Sequence, residues 1–195
     1  MNKKNLQYKK LLNQKGIKPI TCLTAYTKSI SKILDGKVDI ILVGDSLGTT
    51  LYGMKNTQSV TLQMIKDHGK AVTENIKKSL SVIDMPFNTY HNKRIALKNA
   101  KEIKNYTNCH FLKLETDKNN IDIVKYLTKK GFDIVGHIGV NPQKYKNFNK
   151  IRSVGKTRKE SQSLISQAIS LEKAGAKLIV LECIKKDLAK KITNI

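Results

Sequence analysis

Ionisable side chains stand near the ends of several short apolar runs in this sequence. They are two aspartates, two glutamates, a lysine and a histidine, with a serine beside the first aspartate: Asp45, Ser46, Asp84, Lys113, Glu115, His137 and Glu182. Carboxylates that converge without partners repel one another, and a divalent cation relieves that repulsion. Because carboxylate oxygens suit Mg²⁺, the set predicts a metal-dependent enzyme if these residues meet in space.

Each of these residues also has a simpler interpretation when it is taken alone. An aspartate that follows a strand often caps the next helix or forms a turn, and this applies to Asp45 and Asp84. His137 is also compatible with a hydrogen-bonded histidine of the core, and Lys113 with a surface ion pair. The prediction of a site therefore depends on the whole set and on a fold that brings its members together.

Short apolar runs alternate with longer amphipathic stretches along the chain. We predict strands at 19–26, 39–46, 80–86, 111–115, 133–139 and 178–183, several of them apolar on consecutive residues, as in buried parallel sheets. We predict a short helix at 6–14 and then helices at 27–34, 61–76, 93–106, 121–130, 161–174 and 186–192. The alternation indicates an α/β fold of six βα units, either a doubly wound sheet or a (β/α) barrel. In both folds the carboxyl ends of the strands share one face, where ligands bind.

The composition fits a soluble globular protein, and we predict a single domain over residues 1–195. No run approaches the roughly 18 apolar residues of a membrane span, and the N-terminus lacks the features of a signal peptide. The 3 cysteines contain no CxxC pair and indicate reduced thiols, so we expect a cytoplasmic protein without a membrane partner. The net charge of +22 is carried mainly by scattered lysines, so we predict no nucleic-acid partner.

The ordered series of motifs resembles the ketopantoate hydroxymethyltransferase family. LVGDSLG, SVTL, DMPF, KLE, GHIGVNPQ and EKAGAKLIVLEC follow one another over nearly all of the chain. The resemblance implies a (β/α)8 TIM barrel of the phosphoenolpyruvate/pyruvate superfamily type. Members of the family have a seventh and an eighth unit, which we do not find in this sequence, so we expect a barrel truncated to about six βα units.

The resemblance also implies a reaction. In the family, a one-carbon unit passes from 5,10-methylenetetrahydrofolate to 3-methyl-2-oxobutanoate and gives 2-dehydropantoate, the first committed step toward pantothenate. The implied cofactor is Mg²⁺, which stabilises an enolate, and the implied partners are the 2-oxo acid, the folate and further copies of the chain, since family members form decamers. The alternative is a non-catalytic remnant that keeps the site residues without turnover.

Roles for individual residues follow from the same resemblance. The implied general base is Glu182. The implied metal-site residues are Asp45, Asp84 and Glu115. The implied substrate-binding residues are Asp45, Ser46, Asp84, Lys113 and His137.

Overall fold

Strands and helices alternate along the chain in the predicted order. The structure, a computed structural model, describes residues 3–195. Its strands are β1 (Cys22–Thr24), β2 (Ile40–Val43), β3 (Leu80–Asp84), β4 (Phe111–Glu115), β5 (Ile134–Gly139) and β6 (Leu178–Glu182). Its α-helices are α1 (Lys3–Leu12), α2 (Lys28–Leu34), α3 (Leu47–Leu51), α4 (Leu62–Thr73), α5 (Lys93–Thr107), α6 (Ile121–Lys129), α7 (Arg158–Lys173) and α8 (Lys186–Thr193). None of the helices within residues 3–195 has the length and apolar character needed to cross a membrane.

The strands form one parallel sheet in which each strand lies beside its neighbour in sequence. The order is β1-β2-β3-β4-β5-β6, and every pair is parallel. A doubly wound sheet reverses its strand order at an inner point, so the sequential order excludes that alternative. The sheet curls into part of a barrel, and within the described residues β1 and β6 form its two edges.

Capping residues explain where the helices begin and end. Thr61 caps α4, and Thr157 with Glu160 forms a capping box that starts α7 earlier than predicted. Gly131 and Gly175 follow α6 and α7 with φ angles of +86° and +91°, a left-handed conformation that stops a helix. The first strand is much shorter than the predicted range 19–26, because only Cys22–Thr24 pair with β2 in the sheet.

Apolar side chains cover both faces of the sheet. The larger cluster packs between the sheet and the helices. The smaller cluster lies on the inner face, where α1 closes one end of it, and comprises Leu11, Ile40, Leu80, Val82, Phe111 and Val135. Alternate residues of a strand point to the same face. The inner face therefore continues from these apolar residues to Asp84, Lys113, Glu115 and His137 at the carboxyl ends of the strands.

Candidate active site

Asp45 and Ser46 lie between β2 and α3. Ser46 occupies the N-cap position of α3, but its hydroxyl shares a 2.6 Å hydrogen bond with the phenol of Tyr26 instead of capping the helix. Asp45 is buried; its backbone N–H donates to Asp84 Oδ2 at 3.0 Å, and its Oδ2 accepts from Gln143 Nε2 at 2.7 Å. The Asp45 carboxylate therefore points into the site, and the helix-cap interpretation does not apply to it.

Asp84 and Lys113 form an ion pair across neighbouring strands. They are register partners on β3 and β4, and Lys113 Nζ lies 2.6 Å from Asp84 Oδ1. The same ammonium lies 3.4 Å from His137 Nδ1. An ammonium group can only donate, so Nδ1 accepts and the neutral imidazole carries its proton on Nε2.

His137 and Glu182 face each other on β5 and β6. His137 Nε2 lies 3.1 Å from Glu182 Oε2, yet this buried nitrogen has no well-aligned hydrogen-bond partner among the described residues. The side chain of Glu182 is 39% exposed, whereas that of His137 is 2% exposed. Gly139 permits this arrangement for two reasons. Its φ of +106° is a backbone conformation that favours glycine, and a Cβ added at this position would lie only 2.2 Å from the carbonyl oxygen of Glu182.

Glu115 lies beside a cavity of about 310 Å³ at the same end of the sheet. Both of its carboxylate oxygens accept from the backbone N–H of Gln143 at 3.1 Å. Phe87, Tyr90 and Lys144 are among the other residues that line the cavity. Glu115 thus connects the inner face of the sheet with a space that a small molecule can enter.

Burial and neighbouring charge set the protonation of the site. Burial and the charge of Asp84 raise the pKa of Asp45 to about 7, and burial raises that of Glu115 to about 8 against the opposing effect of Lys113. Burial alone would lower the pKa of Lys113, but the negative charges of Asp84 and Asp45 have the larger effect, so the pKa of Lys113 is raised. Burial and Lys113 lower the pKa of His137, which favours the neutral imidazole. One ammonium therefore faces more carboxylates than it can neutralise.

The carboxylates offer oxygen ligands to a divalent cation without forming a closed cage. Among the residues that the structure describes, no three His, Cys, Asp or Glu side chains are grouped closely enough to hold a metal ion. Mg²⁺ is usually held by one or two carboxylates, with waters and substrate oxygens completing its shell. Asp45 and Asp84 fit that pattern, because burial and the charge of Asp84 both raise the pKa of Asp45, and a cation beside the two carboxylates would offset both effects. The metal roles of Asp45, Asp84 and Glu115 stay predictions.

Sequence reasoning identified the charged members of this cluster and Ser46, and it missed the other neutral members. The predicted residues lie together at the carboxyl ends of β2 to β6. Three hydrogen-bonding residues were missed: Tyr26, Tyr90 and Gln143. Gln143 ends the motif GHIGVNPQ, so the motif contained a signal, whereas nothing in the sequence distinguishes the two tyrosines.

The fold has counterparts among solved structures. The chain is similar to 2,3-dimethylmalate lyase, a PEP mutase/isocitrate lyase superfamily member, with a TM-score of 0.70 and 11% identity over 100% of this chain and 68% of that one. It is also similar to phosphonopyruvate hydrolase in complex with oxalate and Mg²⁺, with a TM-score of 0.71 and 12% identity over 97% of this chain and 67% of that one. The fold is therefore that of a TIM barrel, of which the described residues form six βα units, and the predicted fold class is confirmed.

Sequence comparison identifies the family within that class. The family model described as ketopantoate hydroxymethyltransferase matches residues 5–195. The 3-methyl-2-oxobutanoate hydroxymethyltransferase of Pelagibacter ubique is 46% identical over 194 residues, which are 100% of this chain and 73% of the relative. That of Anaplasma marginale is 42% identical over 181 residues, 93% of this chain and 65% of the relative. The chain belongs to the ketopantoate hydroxymethyltransferase family, and it spans about two thirds to three quarters of the length of these relatives.

Proposed function

We propose that this site transfers a one-carbon unit from 5,10-methylenetetrahydrofolate to 3-methyl-2-oxobutanoate. Water supplies the hydroxyl group, and the products are 2-dehydropantoate and tetrahydrofolate. The names of the relatives support the reaction. The observation that carries the proposal is the pairing of the accessible Glu182 carboxylate with the buried Nε2 of His137 at 3.1 Å. A carboxylate base beside a hydrogen-bond donor suits the removal of a proton next to a carbonyl group.

The residues of the chain divide the chemistry between them. Glu182 takes the proton from C3 of the oxo acid, because it is the carboxylate of the set whose side chain reaches solvent most readily. Lys113 and the Nε2–H of His137 hold the oxygens of the oxo acid, on which negative charge grows as the C3–H bond breaks. Water breaks both C–N bonds of the folate's methylene carbon, which gives tetrahydrofolate and formaldehyde. The electron pair left on C3 then forms the new C–C bond to formaldehyde, whose C=O π pair moves to the oxygen and takes up the proton held by Glu182.

The site residues also suit a divalent cation. Asp45 and Asp84 would hold Mg²⁺, with Glu115 as a further acid nearby, and Ser46 would contact the substrate. When bound, the cation supplies a Lewis acid that stabilises negative charge on the oxo acid. Tyr26 keeps the Ser46 hydroxyl in place through their 2.6 Å hydrogen bond.

Exchange of the C3 proton for deuterium tests the proposal without the folate. The chain is incubated in D₂O with Mg²⁺ and 3-methyl-2-oxobutanoate, and deuterium at C3 is followed by NMR. We expect exchange with the unaltered chain, and none with Glu182→Gln although calorimetry still detects binding of the oxo acid. Glu172→Gln is the matched control, because Glu172 is exposed on α7 and should leave the exchange rate unchanged.

Two results would contradict the proposal in different ways. Full exchange with Glu182→Gln would remove Glu182 from the role of base. Absence of exchange with the unaltered chain would instead support the alternative, a non-catalytic remnant that retains the site residues.

A further inference from the structure

Gln143 stands at the centre of the hydrogen-bond network that joins the acids of the site. It lies in a single turn of 3₁₀ helix, Pro142–Lys144, just beyond the end of β5, and only 3% of its surface is exposed. A buried amide must satisfy its donors and acceptors within the protein, because each unpaired group has a substantial desolvation cost. The partners of Gln143 therefore indicate what it does.

The side-chain amide of Gln143 uses both of its donor positions within the site. Nε2 donates to Asp45 Oδ2 at 2.7 Å and to the carbonyl oxygen of Met85 at 3.1 Å. The bond to Asp45 engages Oδ2 alone, so it fixes the carboxylate without using Oδ1. A neutral donor of this kind orients a carboxylate and adds no positive charge to compete with a cation.

Tyr90 determines which way round the amide sits. Its phenol donates to Gln143 Oε1 at 2.5 Å, and Tyr90 itself is buried. A flipped amide would place an oxygen against the Asp45 carboxylate and an NH₂ group against the phenol hydrogen. The Tyr90 hydrogen bond thus holds the donor end of Gln143 toward Asp45.

The backbone of Gln143 holds a second acid independently of the side chain. Its N–H donates to both carboxylate oxygens of Glu115, and its carbonyl oxygen accepts from Gln58 Nε2 at 2.8 Å. A substitution of the side chain therefore disturbs the contact with Asp45 and leaves the contact with Glu115 in place. This separation makes the role of the side chain testable.

We propose that Gln143 is a positioning residue that presents the Asp45 carboxylate to a divalent cation, and that Tyr90 sets the direction of its amide. The identity of the cation rests on the proposed function. The positioning of Asp45 rests only on the contacts of Gln143 described above. Partners that orient a metal-binding carboxylate typically change metal affinity by about 10- to 100-fold when they are removed.

The test measures binding of Mn²⁺, an ion that occupies the same kind of oxygen site as Mg²⁺ and is detected by EPR. Gln143→Met keeps the size of the side chain and removes the amide. We expect it to raise the Mn²⁺ dissociation constant about tenfold or more. Gln63→Met is the matched control, because Gln63 is exposed on α4, and it should leave the constant unchanged.

A second variant separates positioning from mere structural support. Gln143→Met leaves the Tyr90 hydroxyl without its partner, so the chain also loses stability. The double variant Gln143→Met with Tyr90→Phe also removes the orphaned hydroxyl and should recover the part of the stability that this hydroxyl costs, although Asp45 and the Met85 carbonyl still lack their donor. If Gln143 positions Asp45, the Mn²⁺ affinity stays low in the double variant. Recovery of the affinity together with the stability would overturn the proposal.

If the unaltered chain binds no Mn²⁺, crystal structures of the unaltered chain and of Gln143→Met test the positioning of Asp45 directly. In that case the metal part of the proposed function fails. A displaced Asp45 carboxylate in the variant would still support the positioning role of Gln143. An unchanged carboxylate would overturn it.

Discussion

Lys113 Nζ lies 2.6 Å from Asp84 Oδ1, and the two side chains are only 6% and 3% exposed. The pair follows directly from the parallel register of β3 and β4, which sets the two residues side by side. Removing one partner of a buried ion pair is strongly destabilising, because the remaining charge is still desolvated and no longer has an opposite charge beside it.

Lys113→Met should lower the free energy of unfolding by about 3–5 kcal/mol, since Asp84 would remain buried and unpaired. Urea denaturation at pH 7 measures the change. Adding Asp84→Asn to this variant should recover much of the loss. An equally unstable double variant would show that the lost packing of the lysine stem, and not the unpaired charge, causes the effect.

Asp45→Asn should raise stability at high pH. The pKa of Asp45 is raised from 3.8 to about 7 in the folded chain, so the unfolded chain releases this proton first as pH increases. The contribution of Asp45 to folding stability therefore falls between about pH 4 and about pH 7 and stays low above that range. The isosteric asparagine removes this penalty, and we expect a gain of about 1–2 kcal/mol at pH 8 and little change at pH 4, measured by thermal unfolding.

Asp117→Asn is the matched control for this experiment. Burial acts to raise the pKa of Asp117, but hydrogen bonds from Lys144 and from backbone N–H groups outweigh it and lower the pKa. Asp117 therefore stabilises the fold when it is ionised, and its asparagine variant should lose stability at pH 8. A loss at pH 8 for Asp45→Asn as well would contradict the electrostatic account of Asp45.

Gly139→Ala should destabilise the chain by up to about 3 kcal/mol and slow C3 deuterium exchange. The added methyl group would meet the carbonyl oxygen of Glu182 at 2.2 Å and push that residue away from His137. Gly131→Ala is the control, because Gly131 has φ of +86° but no atoms within 4 Å of an added Cβ. It should cost only about 1 kcal/mol of backbone strain and leave the exchange rate unchanged. Equal effects of the two variants would contradict the steric account.

Mg²⁺ together with millimolar 3-methyl-2-oxobutanoate should raise the thermal unfolding temperature. A ligand that binds only the folded state at 100 times its dissociation constant adds about 2.7 kcal/mol of stability. 3-Methylbutanoate, which lacks the 2-oxo group, serves as the matched ligand and should give a smaller shift. Absence of any shift with the oxo acid would favour a non-catalytic remnant.

The order of the strands along the chain and the acids on the inner face of the sheet could be predicted, because both depend on patterns among residues close together in sequence. A parallel strand needs an apolar run, and alternate residues of one strand share a face, so the positions of Asp84, Lys113 and Glu115 follow from local sequence. The choice of a barrel over a doubly wound sheet depends on strand order, which the alternation alone leaves open. The resemblance to the ketopantoate hydroxymethyltransferase family indicates the barrel, and the sequential order of the strands in the sheet agrees with it.

Contacts between distant parts of the chain could not be predicted in this way. Tyr26 and Ser46 come from different βα units, and their hydrogen bond depends on the angle between β1 and α3. The bond between Gln143 and Asp45 joins residues 98 positions apart. Neither periodicity nor composition carries information about such pairs, and neutral residues add no charge pattern that would reveal them.

The sequential order of the strands also determines how this chain can be built during synthesis. Each strand pairs with the strand made just before it, so the sheet can extend in step with the ribosome and never has to wait for a distant partner. The acids at the ends of β2, β3 and β4 are thus brought together by pairing between neighbours in sequence. The hydrogen bond between Gln143 and Asp45 instead closes a loop of 98 residues, so it depends on the sheet that the earlier pairings build.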